Sequence, residues 1–305
     1  MVKPGTVLIT GGTGFLGSRI VARLLALKYR VIVVRRSQSR IDHLLKIKTN
    51  NLSFFDYNGQ NLAQCFKKNQ IDFVIHTATC YGRDYDRYAD VVAANVLLPM
   101  QLLELSLEHK VKVFVNTDTF FTNDLGLSPK KKSYTKTKKL FLELATEASE
   151  GTALRLVNMR IQQMYGPGDN ENKFVMTMGK ALLNNVVGLD LTLGQQKRDF
   201  IYVDDVAKAF GQVLKHYKKL DCFEEFGLGW GRSISIRKAV SVMKQLAESK
   251  TVLRWGALPY RANEIFNAKA VTRANKKINW QPRVSFSQGL ILTFKQLKKY
   301  VADTK

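Results

Sequence analysis

The chain has 305 residues, 45% of them apolar and 24% charged, so it can form one large α/β domain or two smaller ones. This composition excludes a disordered chain, and no segment approaches the ~18 unbroken apolar residues of a membrane span. We expect no signal peptide, because the start of the chain leads directly into a strand-like segment. Three cysteines without metal-ligand spacing predict a reduced, cytoplasmic protein without a metal site.

The formal net charge of +23 favours anionic partners. The lysines, however, are scattered along the chain as short pairs, and no stripe of alternating basic and aromatic residues is present. The charge therefore predicts a solvated surface that attracts phosphorylated small molecules, and no nucleic-acid partner.

In chain order, apolar and β-branched runs predict strands at residues 7–9, 31–34, 52–55, 73–76 and 113–117. Helical spacing of apolar residues predicts helices at 15–27, 62–68 and 88–109 between them. This alternation predicts an α/β fold with a doubly wound parallel (Rossmann) sheet. We expect residues 1–165 to form the dinucleotide-binding core, with residues 198–218 returning to it. Residues 166–197 and 219–305 should form a smaller C-terminal α/β substrate lobe.

A glycine motif follows the first predicted strand and opens the first predicted helix, with Gly11, Gly14 and Gly17 at the spacing of a dinucleotide-binding turn. The glycines permit a tight turn, close approach of the pyrophosphate and close packing of helix on sheet. The helix N-terminus then offers its amides to the phosphates. Within this motif we also expect cofactor contacts from Thr13, Phe15 and Leu16.

The end of the second strand predicts which dinucleotide binds. An NAD site usually has an acidic residue there, but this chain has Arg35, Arg36 and Ser37, which suit a 2′-phosphate. NADP(H) is therefore preferred over NAD(H). Asp56, after the third strand, is predicted either to bind the adenine amino group or to cap a loop.

Tyr134 and Lys138 form a YxxxK pair on one face of a predicted helix. The lysine would lower the pKa of the phenol and bind the nicotinamide ribose, and Thr117 at the end of a strand would bind the reacting oxygen. Asn95 is counted among the cofactor contacts, where it would brace this site, with an ordinary buried amide as the alternative. The cofactor contacts should also include Thr77, Ala78 and Thr79 after the fourth strand.

Taken with residues 198–205 (RDFIYVDD), these motifs resemble the extended short-chain dehydrogenase/reductases, the NAD(P)-dependent sugar-nucleotide epimerase/dehydratase superfamily, over essentially the whole chain. Further segments are similar to the group of 4-ketosugar reductases that form CDP-abequose and CDP-paratose. These segments are residues 116–121 (NTDTFF), 157–160 (VNMR), 165–169 (YGPGD), 172–174 (NKF), 256–261 (GALPYR), Asn263 and Glu264.

This resemblance implies that Thr117, Tyr134 and Lys138 are the catalytic residues. It implies a nucleotide-sugar substrate and a homodimer. The expected substrate contacts are Asp118, Thr119, Asn158, Asn172, Lys173, Arg198, Arg261 and Glu264. Asp204 and Asp205 are expected to cap the helix that follows them.

The resemblance leaves three reactions to compare. Sugar 4,6-dehydratases need an Asp-Glu pair after the threonine, and here Asp118-Thr119 follows, which argues against dehydration. A 4-epimerase keeps NAD bound, whereas Arg35 and Arg36 favour exchangeable NADPH. Reduction of the C4 ketone is therefore predicted. A 4-epimerase and a non-catalytic dinucleotide-sensing regulator are the alternatives.

Overall fold

The computed structural model describes residues 4–82, 86–123, 129–262 and 264–303 of the chain. The strands are β1 (Thr6–Thr10), β2 (Arg30–Arg35), β3 (Leu52–Asp56), β4 (Phe73–His76), β5 (Val113–Thr119), β6 (Arg155–Ile161), β7 (Gln163–Tyr165), β8 (Gly188–Leu191), β9 (Lys197–Arg198), β10 (Phe200–Tyr202), β11 (Phe223–Leu228), β12 (Ile234–Ser235), β13 (Val252–Trp255) and β14 (Asn267–Ala268). The helices are α1 (Phe15–Ala26), α2 (Asp42–Leu45), α3 (Leu62–Lys68), α4 (Tyr88–Val92), α5 (Leu98–Glu108), α6 (Pro129–Ser149), α7 (Phe174–Leu183), α8 (Val203–His216), α9 (Ile236–Ala247) and α10 (Phe286–Asp303).

A seven-stranded sheet in the order β11-β6-β5-β4-β1-β2-β3 forms the centre of the fold. All of its strand pairs are parallel. The chain runs outward in both directions from β1 and β4, so a crevice opens between the carboxyl ends of these two strands. The predicted doubly wound sheet is therefore confirmed.

The sheet is buried on both faces, which explains its continuous apolar strands. Alternate residues of one strand enter different cores: Val113 and Val115 pack in the core under α1 and α8, whereas Phe114 packs in the core under α3, α5 and α6. Helix α1 buries Ile20, Leu24 and other residues at helical spacing against the first of these cores.

The edge strand β11 corrects the expected division of the chain. It pairs with β6 along Phe223–Leu228, although residues 219–305 were expected to lie in the substrate lobe. The segment carries Glu224 and Glu225 among its apolar residues and begins with an exposed Phe223. The sequence therefore lacked the unbroken apolar run that identified the inner strands.

A smaller α/β region follows the core and contains short sheets, namely β10-β7, β12-β9-β14 and β13-β8. Helices α7, α9 and α10 enclose a separate apolar core there, which includes Tyr165, Phe200 and Phe294. This region matches the smaller C-terminal region that was expected.

Within the described part of the chain, one helix is long and apolar enough to cross a membrane; it runs from Tyr88 to Glu108, and an 18-residue window within it has a mean hydropathy of 1.4. It comprises α4, a π-helical turn (Ala93–Leu97) and α5. Leu102 and Leu103 on its inner face are fully buried against the sheet. It is therefore a core helix of the Rossmann layer.

Candidate active site

The glycine turn between β1 and α1 lies in the crevice at the carboxyl edge of the sheet. Gly11 has a φ of +66°, and a Cβ there would lie 2.5 Å from the backbone nitrogen of Ala78. A Cβ on Gly17 would overlap the carbonyl oxygen of Gly11. Among the described residues no side chain caps α1 at Gly14, so its first-turn amides can face an anion. These residues fit a dinucleotide pyrophosphate.

The carboxyl end of β2 carries the predicted phosphate-binding side chains. Arg35 Nε lies 2.8 Å from Asp56 Oδ1, and its guanidinium lies 5.4 Å from the centre of the Phe54 ring. Arg36 and Ser37 are exposed beyond the strand. Asp56 is therefore an ion-pair partner of Arg35, and the adenine contact predicted for it stays a prediction.

Thr117, Tyr134 and Lys138 meet where β5 ends against α6. Lys138 is 2% exposed, and its Nζ donates a hydrogen bond of 2.8 Å to the carbonyl oxygen of Thr117. Thr117 Oγ1 is buried and has no hydrogen-bond partner among the described residues. A buried hydroxyl without a partner is unfavourable, so this atom is suited to a ligand oxygen. The catalytic roles predicted for these three residues stay predictions.

The phenol of Tyr134 is hydrogen-bonded to the Thr119 side chain, a contact that tends to lower its pKa. Burial, followed by the phenol of Tyr81 and the carboxylate of Asp118, raises the pKa of Tyr134 above its ordinary value, so the phenol is protonated at neutral pH. The ring of Tyr81 lies 5.3 Å from the ring of Tyr134 at an angle of 36°. The sequence analysis did not predict a role for Tyr81. Its sequence signal is its place in the loop after β4, five residues beyond His76, where other site residues also lie.

Asn95 connects the loop after β4 to the catalytic helix. Its amide oxygen accepts hydrogen bonds from Thr79 Oγ1 (3.1 Å) and the Cys80 backbone (2.9 Å). Its Nδ2 donates to the Cys80 carbonyl (2.8 Å) and to Thr137 Oγ1 (3.1 Å). Asn95 is 1% exposed and lies in the π-helical turn of the long core helix. It therefore connects the loop after β4 to α6, and the cofactor contact predicted for it stays a prediction.

A row of polar residues crosses the sheet below the catalytic residues. Each residue of the row pairs in register with the next on the neighbouring strand. The row consists of Thr10 on β1, His76 on β4, Asn116 on β5, Asn158 on β6 and Glu225 on β11. Thr10 Oγ1 lies 2.8 Å from His76 Nδ1, and burial of the imidazole followed by the nearby Lys138 charge lowers the pKa of His76. Asn116 Nδ2 donates to Asn158 Oδ1 at 2.8 Å.

Asp118 and Asn158 belong to this buried layer, and the substrate contacts predicted for them stay predictions. Asp118 is 3% exposed and Asn158 is fully buried. Asp118 Oδ1 accepts from the Thr119 backbone at 2.7 Å, and its Oδ2 accepts from Asn158 Nδ2 at 3.0 Å. Arg160 lies 3.6 Å from Asp118 and 2.8 Å from Glu225. Both residues occupy even-numbered positions of their strands, as do Phe114 and Leu156, which pack on the side of the sheet that α6 covers. Strand alternation therefore places them on that side as well.

Three of the predicted substrate-binding side chains, those of Lys173, Arg198 and Glu264, have ion-pair partners within the protein. Arg198 Nη2 lies 2.6 Å from Glu264 Oε1, so these two predicted contacts pair with each other. Lys173 Nζ lies 2.9 Å from the buried Asp169, and Asn172 and Arg261 are exposed. Their contacts with a substrate stay predictions. Asn263 lies outside the described residues.

Asp204 and Asp205 do not cap α8 as expected. The helix begins at Val203, so both carboxylates already lie within its first turn. Asp204 pairs with Arg19 of α1 at 2.8 Å. Asp205 Oδ2 accepts hydrogen bonds from the backbone of Arg283 and Val284. They therefore connect α8 to other elements of the fold.

The fold and site define a Rossmann-type dinucleotide-binding protein with a Thr-Tyr-Lys set at the carboxyl end of β5. The model of the NAD dependent epimerase/dehydratase family matches residues 7–229. The chain belongs to this family, which confirms the resemblance to the extended short-chain dehydrogenase/reductases.

Relatives and structures support the same assignment. A CDP-abequose synthase of Salmonella typhimurium is 28% identical over 95% of this chain and 98% of its own length. A UDP-glucuronate 4-epimerase of Thermodesulfobacterium geofontis is 26% identical over 97% of both chains. The structure of a UDP-N-acetylglucosamine 4-epimerase from Methanobrevibacter ruminantium has a TM-score of 0.84, with 21% identity over 98% of this chain and all of its own. This structural likeness shows the shared fold.

Proposed function

We propose that the protein reduces the C4 ketone of a nucleotide-activated deoxysugar with NADPH. The observation that carries the proposal is the buried Thr117 hydroxyl, which has no partner among the described residues. The carbonyl of the same residue accepts a hydrogen bond from Lys138, and the protonated Tyr134 is bonded to Thr119, two residues further along the strand. This arrangement can bind a carbonyl oxygen and give it a proton. NADPH, when bound, supplies the hydride.

The chain's own residues have distinct roles in this reaction. Thr117 donates a hydrogen bond to the ketone oxygen and stabilises the charge that develops on it. Tyr134 gives its phenolic proton to the same oxygen, which becomes the C4 hydroxyl of the product. Lys138 stabilises the resulting phenolate and binds the nicotinamide ribose. Sugar 4,6-dehydratases have an Asp-Glu pair after the threonine, whereas Asp118 is followed here by Thr119. The glutamate base is therefore missing, which argues against dehydration.

We infer that the substrate is CDP-4-keto-3,6-dideoxyglucose and the product CDP-abequose or CDP-paratose, for the O-antigen of lipopolysaccharide. The supporting observation is the likeness to CDP-abequose synthases at 28% and 29% identity over more than nine-tenths of the chain. The three unpaired cysteines, Cys65, Cys80 and Cys222, support a cytoplasmic location.

The test is NADPH consumption with a panel of 4-ketosugar nucleotides, followed by NMR of the product. We expect one NADPH oxidised per C4 hydroxyl formed. A 4-epimerase, favoured by the likeness to a UDP-glucuronate 4-epimerase, would interconvert C4 epimers without net NADPH consumption. A dinucleotide-sensing regulator would bind NADPH and turn over neither class of sugar.

Arg36 is expected to select NADPH over NADH, because its exposed guanidinium can reach a 2′-phosphate without breaking the Arg35–Asp56 pair. Arg36→Ala should raise the KM for NADPH about tenfold and leave the KM for NADH unchanged, since only NADPH carries the extra phosphate. Steady-state kinetics with both cofactors measure this. Arg40→Ala, at an exposed arginine further along the same loop, is the control, and equal changes for both cofactors would contradict the assignment.

We also propose that the protein is a homodimer through α4, α5 and α6, which pack side by side. Large apolar side chains are exposed on these helices and on the π-helical turn between α4 and α5, namely Tyr88, Val92, Leu97, Leu140 and Leu144. An apolar surface of this kind is typical of a subunit interface.

Leu97→Glu and Leu140→Glu are each expected to convert the dimer to a monomer, because dimerisation would then bury an unpaired carboxylate at the interface. Sedimentation velocity gives the mass. Val187→Glu, at a 90% exposed position outside these helices, should leave the mass unchanged. A wild-type protein that sediments as a monomer would contradict the proposed interface.

A further inference from the structure

A cluster of charged residues, buried at Asp118 and Lys138 and part-exposed at Arg160 and Glu225, adjoins the catalytic residues. It contains Asp118 on β5, Arg160 on β6, Glu225 on β11 and Lys138 on α6. The Arg160–Glu225 pair (2.8 Å) is closer than the Arg160–Asp118 pair (3.6 Å). Asp118 is therefore less fully neutralised by Arg160 than Glu225 is.

The carboxylate of Asp118 accepts two hydrogen bonds inside the protein. One oxygen accepts from the Thr119 backbone and the other from the Asn158 amide. Both donors are neutral N–H groups, so neither brings a positive charge to the carboxylate. Asp118 is 3% exposed and directly follows Thr117 on β5.

The catalytic groups adjoin this charge on both sides. Lys138 Nζ bonds to the carbonyl oxygen of Thr117, which precedes Asp118 in the chain. Tyr134 bonds to the side chain of Thr119, which follows it. The one partner that the structure gives the buried ammonium is a neutral carbonyl, and a buried ammonium is costly without a nearby negative charge. Asp118 is placed to supply that charge.

We propose that Asp118 is a positioning residue whose buried carboxylate keeps the proton on Lys138, so that the site holds the charge state from which carbonyl reduction begins. The catalytic importance of this role rests on the proposed function. The electrostatic interaction between Asp118 and Lys138 does not depend on a bound substrate. It differs from the substrate contact that the sequence suggested for this residue.

The titration of Lys138 agrees with this geometry. Burial lowers the pKa of Lys138 to about 8, and Asp118 opposes this effect. The other titratable groups around the site are Tyr81 from the loop after β4, His76 on β4, Arg160 and Glu225. His76 and Arg160 add no negative charge, and Glu225 lies one strand further away and pairs with Arg160. Without Asp118, Lys138 should lose its proton at a lower pH.

The test compares Asp118→Asn with Glu225→Gln, which removes a carboxylate of the same cluster further from Lys138. The Tm of each variant and of the wild type is measured from pH 6.5 to 9. Because Lys138 has a lowered pKa, the folded protein gains stability as pH rises through that pKa, since the unfolded chain there binds more protons. In Asp118→Asn this gain should start about one pH unit lower.

We therefore expect the Tm difference between the wild type and Asp118→Asn to shrink by about 2 °C as pH rises across this range. The difference between the wild type and Glu225→Gln should stay constant. A constant difference for Asp118→Asn would overturn the proposal. If Asp118→Asn fails to fold, Lys138→Met in the same chain should restore folding, because no buried ammonium is then left unpaired. Failure of that rescue would also overturn it.

Turnover provides a separate readout. With a 4-ketosugar that the wild type reduces, the alkaline limb of kcat/KM should move about one pH unit lower in Asp118→Asn and stay in place in Glu225→Gln. An unmoved limb in Asp118→Asn would count against Asp118. A wild type that reduces no 4-ketosugar would refute the proposed function, while the Tm comparison would still decide the role of Asp118.

Discussion

Tyr134→Phe is expected to lower kcat about 10³-fold while changing the affinity for NADPH less than twofold. The phenol is the proton donor, and general acid catalysis by a positioned side chain contributes about 10²–10⁴-fold. Its hydroxyl bonds to Thr119, so phenylalanine loses one hydrogen bond and keeps the ring contact with Tyr81. Single-turnover kinetics give the rate of the chemical step, and quenching of protein fluorescence gives the affinity.

Tyr202→Phe provides a matched control for this substitution. Tyr202 is buried in the smaller apolar core of the C-terminal region, away from β5 and α6. Turnover by the Tyr202→Phe variant should therefore stay close to that of the wild type. A Tyr134→Phe enzyme that reduces the ketone at the wild-type rate would refute the proposed mechanism.

Thr117→Val is expected to separate activity from stability. Valine has nearly the same shape and removes only the hydroxyl, which is buried without a partner among the described residues. Loss of an oxyanion-stabilising donor should lower kcat about 10²–10³-fold. The free energy of unfolding should nevertheless rise by about 1 kcal/mol, because an unsatisfied buried polar group is removed.

Thr119→Val is the paired control two residues along the same strand. Its hydroxyl bonds to Tyr134 in the free protein, so its removal should lower the free energy of unfolding by about 1 kcal/mol. Urea unfolding and steady-state kinetics measure both quantities. A Thr117→Val protein that is less stable and fully active would show that this hydroxyl is structural.

The central fold could be predicted because its signals are local. An apolar strand, a glycine turn and an amphipathic helix follow one another within residues 6–26, and each has a distinct spacing. The strand β11 was missed because its edge position requires fewer apolar residues, and its Glu225 pairs with Arg160, 65 residues earlier in the chain. Pairing over such a distance leaves no local pattern.

The catalytic residues could be predicted by type and spacing, but their partners could not. Asp118 follows Thr117 directly, and sequence alone does not show that its carboxylate points to Asn158 and away from the crevice. The direction depends on strand alternation together with the register of β5 against β6. The Arg198–Glu264 pair likewise depends on how two loops meet.

The route of the chain through the sheet also determines what can be removed from it. After β6 the chain passes through β8 and β9, returns through α8 to β11, and leaves again toward α9 and α10. A fragment ending near residue 165 would lack the strand beside β6 and the helix over α1, leaving an open edge and a large apolar face in water. We therefore expect that a fragment ending near residue 165 does not fold independently.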